Sequence, residues 1–289
     1  MLILIYNRMF HLAPGLEGLD IPDEIEFTED RRRMREADAV VFHIPSLDRL
    51  FYRRKIRGQT WVSWYMECEL NYARLRNARF MQQFDLTMNY RQDADIMASY
   101  LPNPPSCLSI PPEQTNRHRN LVCSFISGRT DRSGRGAYLR ELATRLDVHQ
   151  YGRCGNRSIP GDRGHASKLD VCSTYKFNLA FENAIAVDYV TEKFYDPLLA
   201  GCVPVYLGAP NVAEFAPVED CFINTSNFSG PAELAEYLLY LDRDDQAYGH
   251  YLNWRERPYT RSFQALRRKN ETPAFERLCL LLMERADRA

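Results

Sequence analysis

Between residues 178 and 208 the chain reads NLAFENAIAVDYVTEKFYDPLLAGCVPVYLG, where two apolar runs enclose Glu182, Asn183, Asp188, Glu192 and Lys193. Such a cluster has two uses. It can be a connection whose charges face water, or a ligand site at the mouth of an α/β sheet. KFNLAFE brings Glu182 and Asn183 to the carboxyl end of a strand. Thr191 is a good N-cap, which puts Glu192 and Lys193 in the first helical turn, and Gly201 ends the helix. Free backbone N–H groups and a cation at a helix start make a phosphate site. Lys193 beside the positive helix end is unfavourable unless an anion is present. Spacing alone leaves both uses open.

A second cation points the same way. LVCSFIS leads into Gly128 and Arg129, a corner that aims a guanidinium at the rim of the sheet. Arg129 with Lys193 would form a two-cation clamp suited to a diphosphate. Lysine is scarce in this chain, five against 32 arginines, so Lys193 is hard to treat as background. In the first half, WVSWYMECE ends a strand with Glu67, and Glu69 lies two residues on. A carboxylate at a strand end is placed to act as a general base, or is an ordinary loop acid. No GxxxxGK[ST] occurs, and no GxGxxG follows the first strand, which disfavours a P-loop NTPase and a dinucleotide oxidoreductase. No paired-aspartate metal site is evident; DRDD at 242–245 reads as the solvated end of a helix.

The chain has 289 residues, 45% hydrophobic and 26% charged, the make-up of a soluble globular protein with one large or two ordinary domains. A net charge of −1 gives no reason to expect nucleic acid, and RRRMR at 31–35 and RRK at 267–269 read as solvated helix faces. The opening MLILIY is too short and lacks the flanks of a signal peptide, and no stretch nears the roughly 20 residues needed to span a bilayer. The eight cysteines show no CxxC or zinc spacing; Cys123 and Cys202 lie in apolar runs. Free thiols in a reducing compartment, the bacterial cytosol, are the expectation, with a peripheral association with the inner membrane as its variant.

These side chains need elements to carry them. Strands are expected at MLILIY, 37–44, 60–66 and 85–90, with a helix through NYARLRNARFMQQF. A segment with five prolines, 101–120, reads as a linker with the domain boundary near 112–120. Beyond it strands are expected at 121–127, 147–152, 176–182, 202–208 and 220–225, and helices at 136–146, 231–242 and 273–286. Alternating strands and helices imply parallel sheet. The expected architecture is α/β, two Rossmann-like domains whose parallel sheets face a cleft: 1–115, 116–265, and a C-terminal helix in 266–289.

The 177–208 stretch resembles the signature of the α1,3-fucosyltransferases, written roughly FxxAFENSxxxDYxTEKxxxAxxAGxVPVxLG. MNYRQDADIMASY, 88–100, resembles their SYRRDSDIxVPYG segment, and TWVSWYMECE their WVxxxxES strand. With GPAELAEYLLYLD and YLNWR the matches cover some two thirds of the chain. The resemblance implies a GT-B fold and inverting transfer of L-fucose from GDP-β-L-fucose to the 3-hydroxyl of an N-acetylglucosamine-containing glycan, as N-acetyllactosamine or an N-glycan chitobiose core. By the same resemblance Glu67 takes the place of the base, Lys193 and Arg129 match the donor-phosphate cations, and Glu192, Asn183 and Tyr189 match residues around fucose and ribose. Glu182 and Tyr90 sit in matching motifs on the donor side. Glu69 stands where animal members have Pro, which makes it an acceptor-loop candidate.

Pro197 falls inside the TEK helix, where a kink or a delayed start is expected. The membrane anchor, stem and paired C-terminal cysteines of Golgi members are not matched, nor are the heptad tails of some bacterial ones. The implied mechanism is one in-line displacement with Glu67 taking the hydroxyl proton, the two cations holding the departing GDP and Glu192 facing the cationic sugar. No cofactor is required on this reading, and Mn²⁺ is at most a stimulator. A transferase using another nucleotide sugar and an idle glycan-binding module are the alternatives.

Overall fold

The computed structural model describes residues 1–10, 12–48, 54–102, 104, 107–108 and 120–288. Most of the segment expected to hold the domain boundary, 112–119, lies outside the described residues. The chain divides into two compact units, Met1–Ser99 with Lys269–Ala289, and Tyr100–Arg268.

The first unit carries β1 (Leu2–Ile5), β2 (Glu26–Thr28), β3 (Ala39–His43), β4 (Thr60–Tyr65), a one-turn helix α1 (Ala78–Met81), β5 (Leu86–Asn89) and β6 (Ile96–Met97). The strands pair in parallel in the order β2-β1-β3-β4-β5-β6. Every residue of β1 and β3 is buried, as a parallel sheet covered on both faces requires. The helix expected through 71–84 is shorter than its apolar content suggests. The Asn77 side chain accepts the Phe80 N–H at 3.1 Å and so starts a new helix there, and a 3₁₀ turn at Glu69–Asn71 takes up the residues before it.

The second unit carries β7 (Asn120–Phe125), α2 (Arg135–Leu142), β8 (Val148–Tyr151), α3 (His165–Ser173), β9 (Tyr175–Phe181), α4 (Glu192–Ala200), β10 (Val203–Leu207), β11 (Ile223–Asn224), α5 (Pro231–Arg243), α6 (Asp245–Leu252) and α7 (Arg261–Lys269). Its sheet is parallel in the order β11-β10-β9-β7-β8. Leu234, Leu238 and Leu241 of α5 close its core with Phe177, Leu179, Val203 and Val205. Asp244, in the DRDD run, caps α6 by accepting the N–H groups of Gln246 and Ala247 at 3.1 and 3.0 Å.

The last helix, α8 (Ala274–Asp287), belongs to the first unit. Phe275, Leu278, Cys279 and Leu282 form one stripe and pack with Ile3, Ile5, Val41, Val62 and Met88. All eight cysteines are free thiols, and Cys123 and Cys202 are buried as expected. No helix among the described residues is long and apolar enough to cross a membrane.

Candidate active site

In an open parallel sheet, ligands bind beyond the carboxyl ends of the strands where the strand order reverses. In the second sheet that point lies between β7 and β9, which pair side by side with the chain leaving in opposite directions around the sheet. The segments leaving these two strands are 126–134 and 182–191, the two that sequence reasoning singled out.

Arg135 stitches these segments together. It is 4% exposed, and its guanidinium donates to the carbonyls of Phe181 at 3.1 Å, Gly128 at 3.0 Å and Thr130 at 3.1 Å. Ser133 Oγ donates to the Glu182 carbonyl at 2.6 Å, and Arg132 N–H to the Asn183 carbonyl at 2.7 Å. The Asp131 carboxylate starts α2 by accepting the N–H groups of Arg135 at 3.0 Å and Gly136 at 2.9 Å. Arg129 is exposed on this stitched loop and makes no hydrogen bond or ion pair among the described residues.

Glu182 follows β9 directly and is fully buried. Its carboxylate accepts from Thr191 N–H at 2.8 Å and Thr191 Oγ1 at 2.9 Å, and lies 3.3 Å from Lys193 Nζ. Lys193 Nζ also donates to Thr191 Oγ1 at 3.0 Å and Glu192 Oε1 at 3.2 Å. Burial pushes the Glu182 carboxyl above its ordinary range, against the pull of Lys193. Burial works against the Lys193 charge, but Glu182 and Glu192 outweigh it and hold the ammonium protonated. Burial likewise opposes the Glu192 charge, and the lysines at 193 and 168 outweigh it and bring that carboxyl down. The result is an ammonium fixed at the start of α4, its geometry set by two acids and a threonine.

The local backbone explains the knot. Thr191 caps α4 in extended conformation, and Gly201 ends it in the left-handed region at φ 71°. The helix starts at Glu192 without delay and runs through Pro197. Pro197 lacks the N–H that the Lys193 carbonyl would accept one turn back. Between Glu182 and Thr191 the chain turns at Asp188, which holds φ at 66°. Asn211 fixes that turn by accepting Asp188 N–H and donating to its carboxylate, both at 2.9 Å. Tyr189 is buried, and its carbonyl accepts the Tyr206 hydroxyl at 3.2 Å. Gly208 leaves room for this arrangement: a Cβ there would sit 2.4 Å from the Tyr206 hydroxyl and 2.7 Å from Glu182 Cγ.

The first unit brings Glu67, Glu69 and Tyr90 together at the carboxyl ends of the adjacent strands β4 and β5. Tyr90 is buried and donates its hydroxyl to Glu69, and Arg91 lies 3.8 Å from the same carboxylate. Glu67 is half-buried, and its charge acts on the Tyr72 hydroxyl, whose pKa is raised by burial first and by Glu67 second. Tyr90 is thus a support for an acid in its own unit. Among the described residues no three His, Cys, Asp or Glu side chains converge as a metal-ligand set.

Sequence reasoning missed Arg135, Ser133 and Asn211. Arg135 sits in GRTDRSGRG, which reads as a solvated loop, and nothing in that string marks one arginine of three as buried.

The sequence matches two family models in order. Residues 1–101 match the N-terminal model of the fucosyltransferases, and residues 115–288 match glycosyltransferase family 10 (fucosyltransferase), C-terminal part. The chain belongs to glycosyltransferase family 10, the fucosyltransferases. It is similar to a 4-galactosyl-N-acetylglucosaminide 3-alpha-L-fucosyltransferase of Gorilla gorilla gorilla, at 35% identity over 91% of this chain and 75% of the relative. It is also similar to a 3-galactosyl-N-acetylglucosaminide 4-alpha-L-fucosyltransferase of Pan troglodytes, at 34% identity over 91% and 72%. A GDP-fucose protein O-fucosyltransferase 3 of Homo sapiens is 36% identical over 59% of this chain and 36% of its own length. Among solved structures, an alpha1,3-fucosyltransferase aligns with TM-score 0.61 and 17% identity over 90% of this chain and 80% of that one. The fold of this family 10 fucosyltransferase is therefore α/β of the GT-B type, two units each with its own parallel sheet.

Proposed function

We propose that this family 10 enzyme moves L-fucose from GDP-β-L-fucose to the 3-hydroxyl of an N-acetylglucosamine unit, with inversion, to give an α1,3-fucoside. The observation that carries the reading is the Glu182–Thr191–Lys193 knot at the switch point, in a chain 35% identical to a transferase named for that sugar and that hydroxyl. The second unit binds the donor and the first the acceptor. Lys193 and Arg129 hold the diphosphate, and Asn183 and Tyr189 contact fucose and ribose. Glu182 sets the Lys193 ammonium from below.

Glu67 is the general base. It takes the proton from the attacking 3-hydroxyl as the bond to the fucose anomeric carbon forms and the bond to the GDP oxygen breaks on the opposite face. Glu192 faces the positive charge that develops on the sugar ring, and the two cations receive the charge on GDP. Preorganised charge usually does more than any other single effect to lower an enzyme's barrier, and a positioned base adds roughly 10²–10⁴-fold. Glu69, held by Tyr90 and Arg91, shapes the acceptor loop. The reaction needs no metal on this reading, although Mn²⁺ speeds turnover where GDP release limits it. The enzyme works in the cytoplasm.

A second reading has its own support in the likeness to the protein O-fucosyltransferase, which makes a protein hydroxyl the acceptor. Incubation with GDP-fucose, EDTA and a panel of glycans and folded protein domains separates the two. An α1,3-linked fucose on N-acetylglucosamine, read by NMR, is the expected product. Fucose on serine or threonine only would select the second reading. A β-fucoside would overturn the proposed inversion.

A further inference from the structure

One corner of the first unit has no part in the chemistry proposed so far. Beyond the carboxyl end of β1 the chain makes a tight turn, in which Leu12 N–H donates to the Met9 carbonyl at 2.8 Å. Phe10 takes the second position of that turn at φ 46°. Turns with a left-handed residue at that position ordinarily place Gly, Asn or Asp there. A phenylalanine is strained at that φ, and this one is 44% exposed. Neither the backbone nor burial favours this residue type at this place. Polar groups nevertheless hold the turn. The Phe10 N–H donates to Ser46 Oγ at 3.0 Å, and Ser46 Oγ meets His43 Nδ1 at 2.9 Å. The buried Asn7 side chain donates to the His43 carbonyl at 2.8 Å and accepts the His43 N–H at 3.0 Å. The Phe10 and His43 rings stand nearly perpendicular with centroids 5.2 Å apart, and His43 meets Trp64 of β4 at 5.1 Å. Strained backbone that its surroundings hold in place gathers at ligand clamps, and here it displays an exposed aromatic ring.

We propose that Phe10 is a platform on which a second sugar of the acceptor stacks, next to the N-acetylglucosamine that is attacked. The proposal rests on the reading of Glu67 as the base and of the first unit as the acceptor side. The strands β1, β3 and β4 are parallel neighbours, so Phe10, Ser46 and Glu67 all lie beyond the same edge of one sheet. Adjacent strands are about 4.8 Å apart, which puts β1 about 10 Å from β4. That span exceeds the width of one sugar ring. A ring whose 3-hydroxyl meets Glu67 therefore leaves Phe10 to the sugar joined to it. A pyranose carries hydroxyls around its rim and C–H bonds on its faces, and those faces suit the negative face of an aromatic ring. Phenylalanine offers no hydrogen bond, so it selects for the presence of a second ring and not for the pattern of its hydroxyls. The held turn fixes Phe10 before the glycan arrives, which lessens the freedom lost on binding.

The test measures kcat and KM at saturating GDP-fucose for N-acetylglucosamine and for its disaccharides, N-acetyllactosamine and chitobiose. Phe10→Leu keeps apolar bulk and loses the aromatic face. In it the KM for the disaccharide substrate should rise roughly three- to tenfold, with kcat and the KM for the monosaccharide unchanged. Phe10→Tyr should behave as the wild type. Phe10→Gly suits the positive φ, so its melting temperature should hold while its disaccharide KM rises as in Phe10→Leu. Ser46→Ala frees the Phe10 N–H and should raise the same KM by a smaller factor. A purely structural role would move both KM values together and lower the melting temperature of Phe10→Gly, and that result would overturn the proposal. So would a disaccharide KM left unchanged in Phe10→Leu. Glu67→Gln separates the premises. Transfer to the disaccharide that is lost in Glu67→Gln and untouched in Phe10→Leu means that the platform fails and the reading of the site stands. No transfer by the wild type to any of these sugars means that the reading of the acceptor fails, and the platform with it.

Discussion

Glu67 carries the proton transfer in the proposed reaction, and its removal has a narrow signature. Glu67→Gln keeps the shape and loses the base, so transfer should fall by roughly 10²–10⁴-fold while GDP affinity stays the same. Single-turnover kinetics with GDP titration by calorimetry checks both halves. Lys193 differs, because it is fixed by Glu182, Thr191 and Glu192 before any ligand arrives. A preorganised ammonium gives up little freedom on binding. Lys193→Ala should weaken GDP by about 1.5–3 kcal/mol, the worth of a charge-assisted contact. Unchanged GDP affinity would move the diphosphate elsewhere. The same substitution leaves Glu182 buried without its counter-charge, so its GDP affinity must be read in protein shown to be folded by circular dichroism.

Elements hold these residues through close backbone approach, and Gly208 is a place where that approach is tight. Gly208→Ala would drive a methyl group into the Tyr206 hydroxyl and Glu182 Cγ, neither of which can retreat from the buried knot. Overpacking of this kind costs typically about 1–3 kcal/mol, so the variant should melt lower and bind GDP more weakly. A melt and a GDP titration of the same sample would show both. The strands that carry the site were legible because apolar residues dominate each of them, and α4 was legible through Thr191 and Gly201 at its ends. Other elements were not. The three-residue β2 and two-residue β6 are edge strands fixed by pairing with a neighbour rather than by their own pattern. Helix α3 begins after Gly164 with His, Ala, Ser and Lys, and its weak apolar stripe hides His165 and Lys168, which both meet the Asp196 carboxylate of α4. Arg135 escaped notice for a related reason: a guanidinium is buried by the carbonyls it finds, and one of those belongs to a strand 46 residues away.

The whole molecule carries an acid-sensitive point remote in sequence from the donor residues. His43 ends β3, is fully buried, and its Nε2 has no hydrogen-bond partner among the described residues. Burial holds its imidazole neutral and lowers its pKa from 6.5 to about 4. The unfolded chain binds a proton near pH 6.5 that the folded chain refuses until about pH 4. Stability is therefore full above pH 6.5 and falls as the pH drops through that window, by up to roughly 3 kcal/mol at its lower end. Urea melts at pH 7 and pH 4.5 should show the loss, and His43→Gln should reduce the difference between them. An equal loss in both proteins would place the sensitivity in other groups.

The return of α8 to the first unit makes the second unit an insert: 100–268 interrupts a chain whose two outer pieces share one core. A cut made at an engineered protease site within 109–119 would leave α8 covalently attached to the larger fragment while its apolar stripe stays in the core of the smaller one. The nicked enzyme should therefore migrate as one species in a native gel and as two under denaturing conditions. Fragment 1–99 expressed alone should lack part of its core until a peptide spanning 269–289 is supplied in trans, whereas 100–268 has all of its strands in one piece.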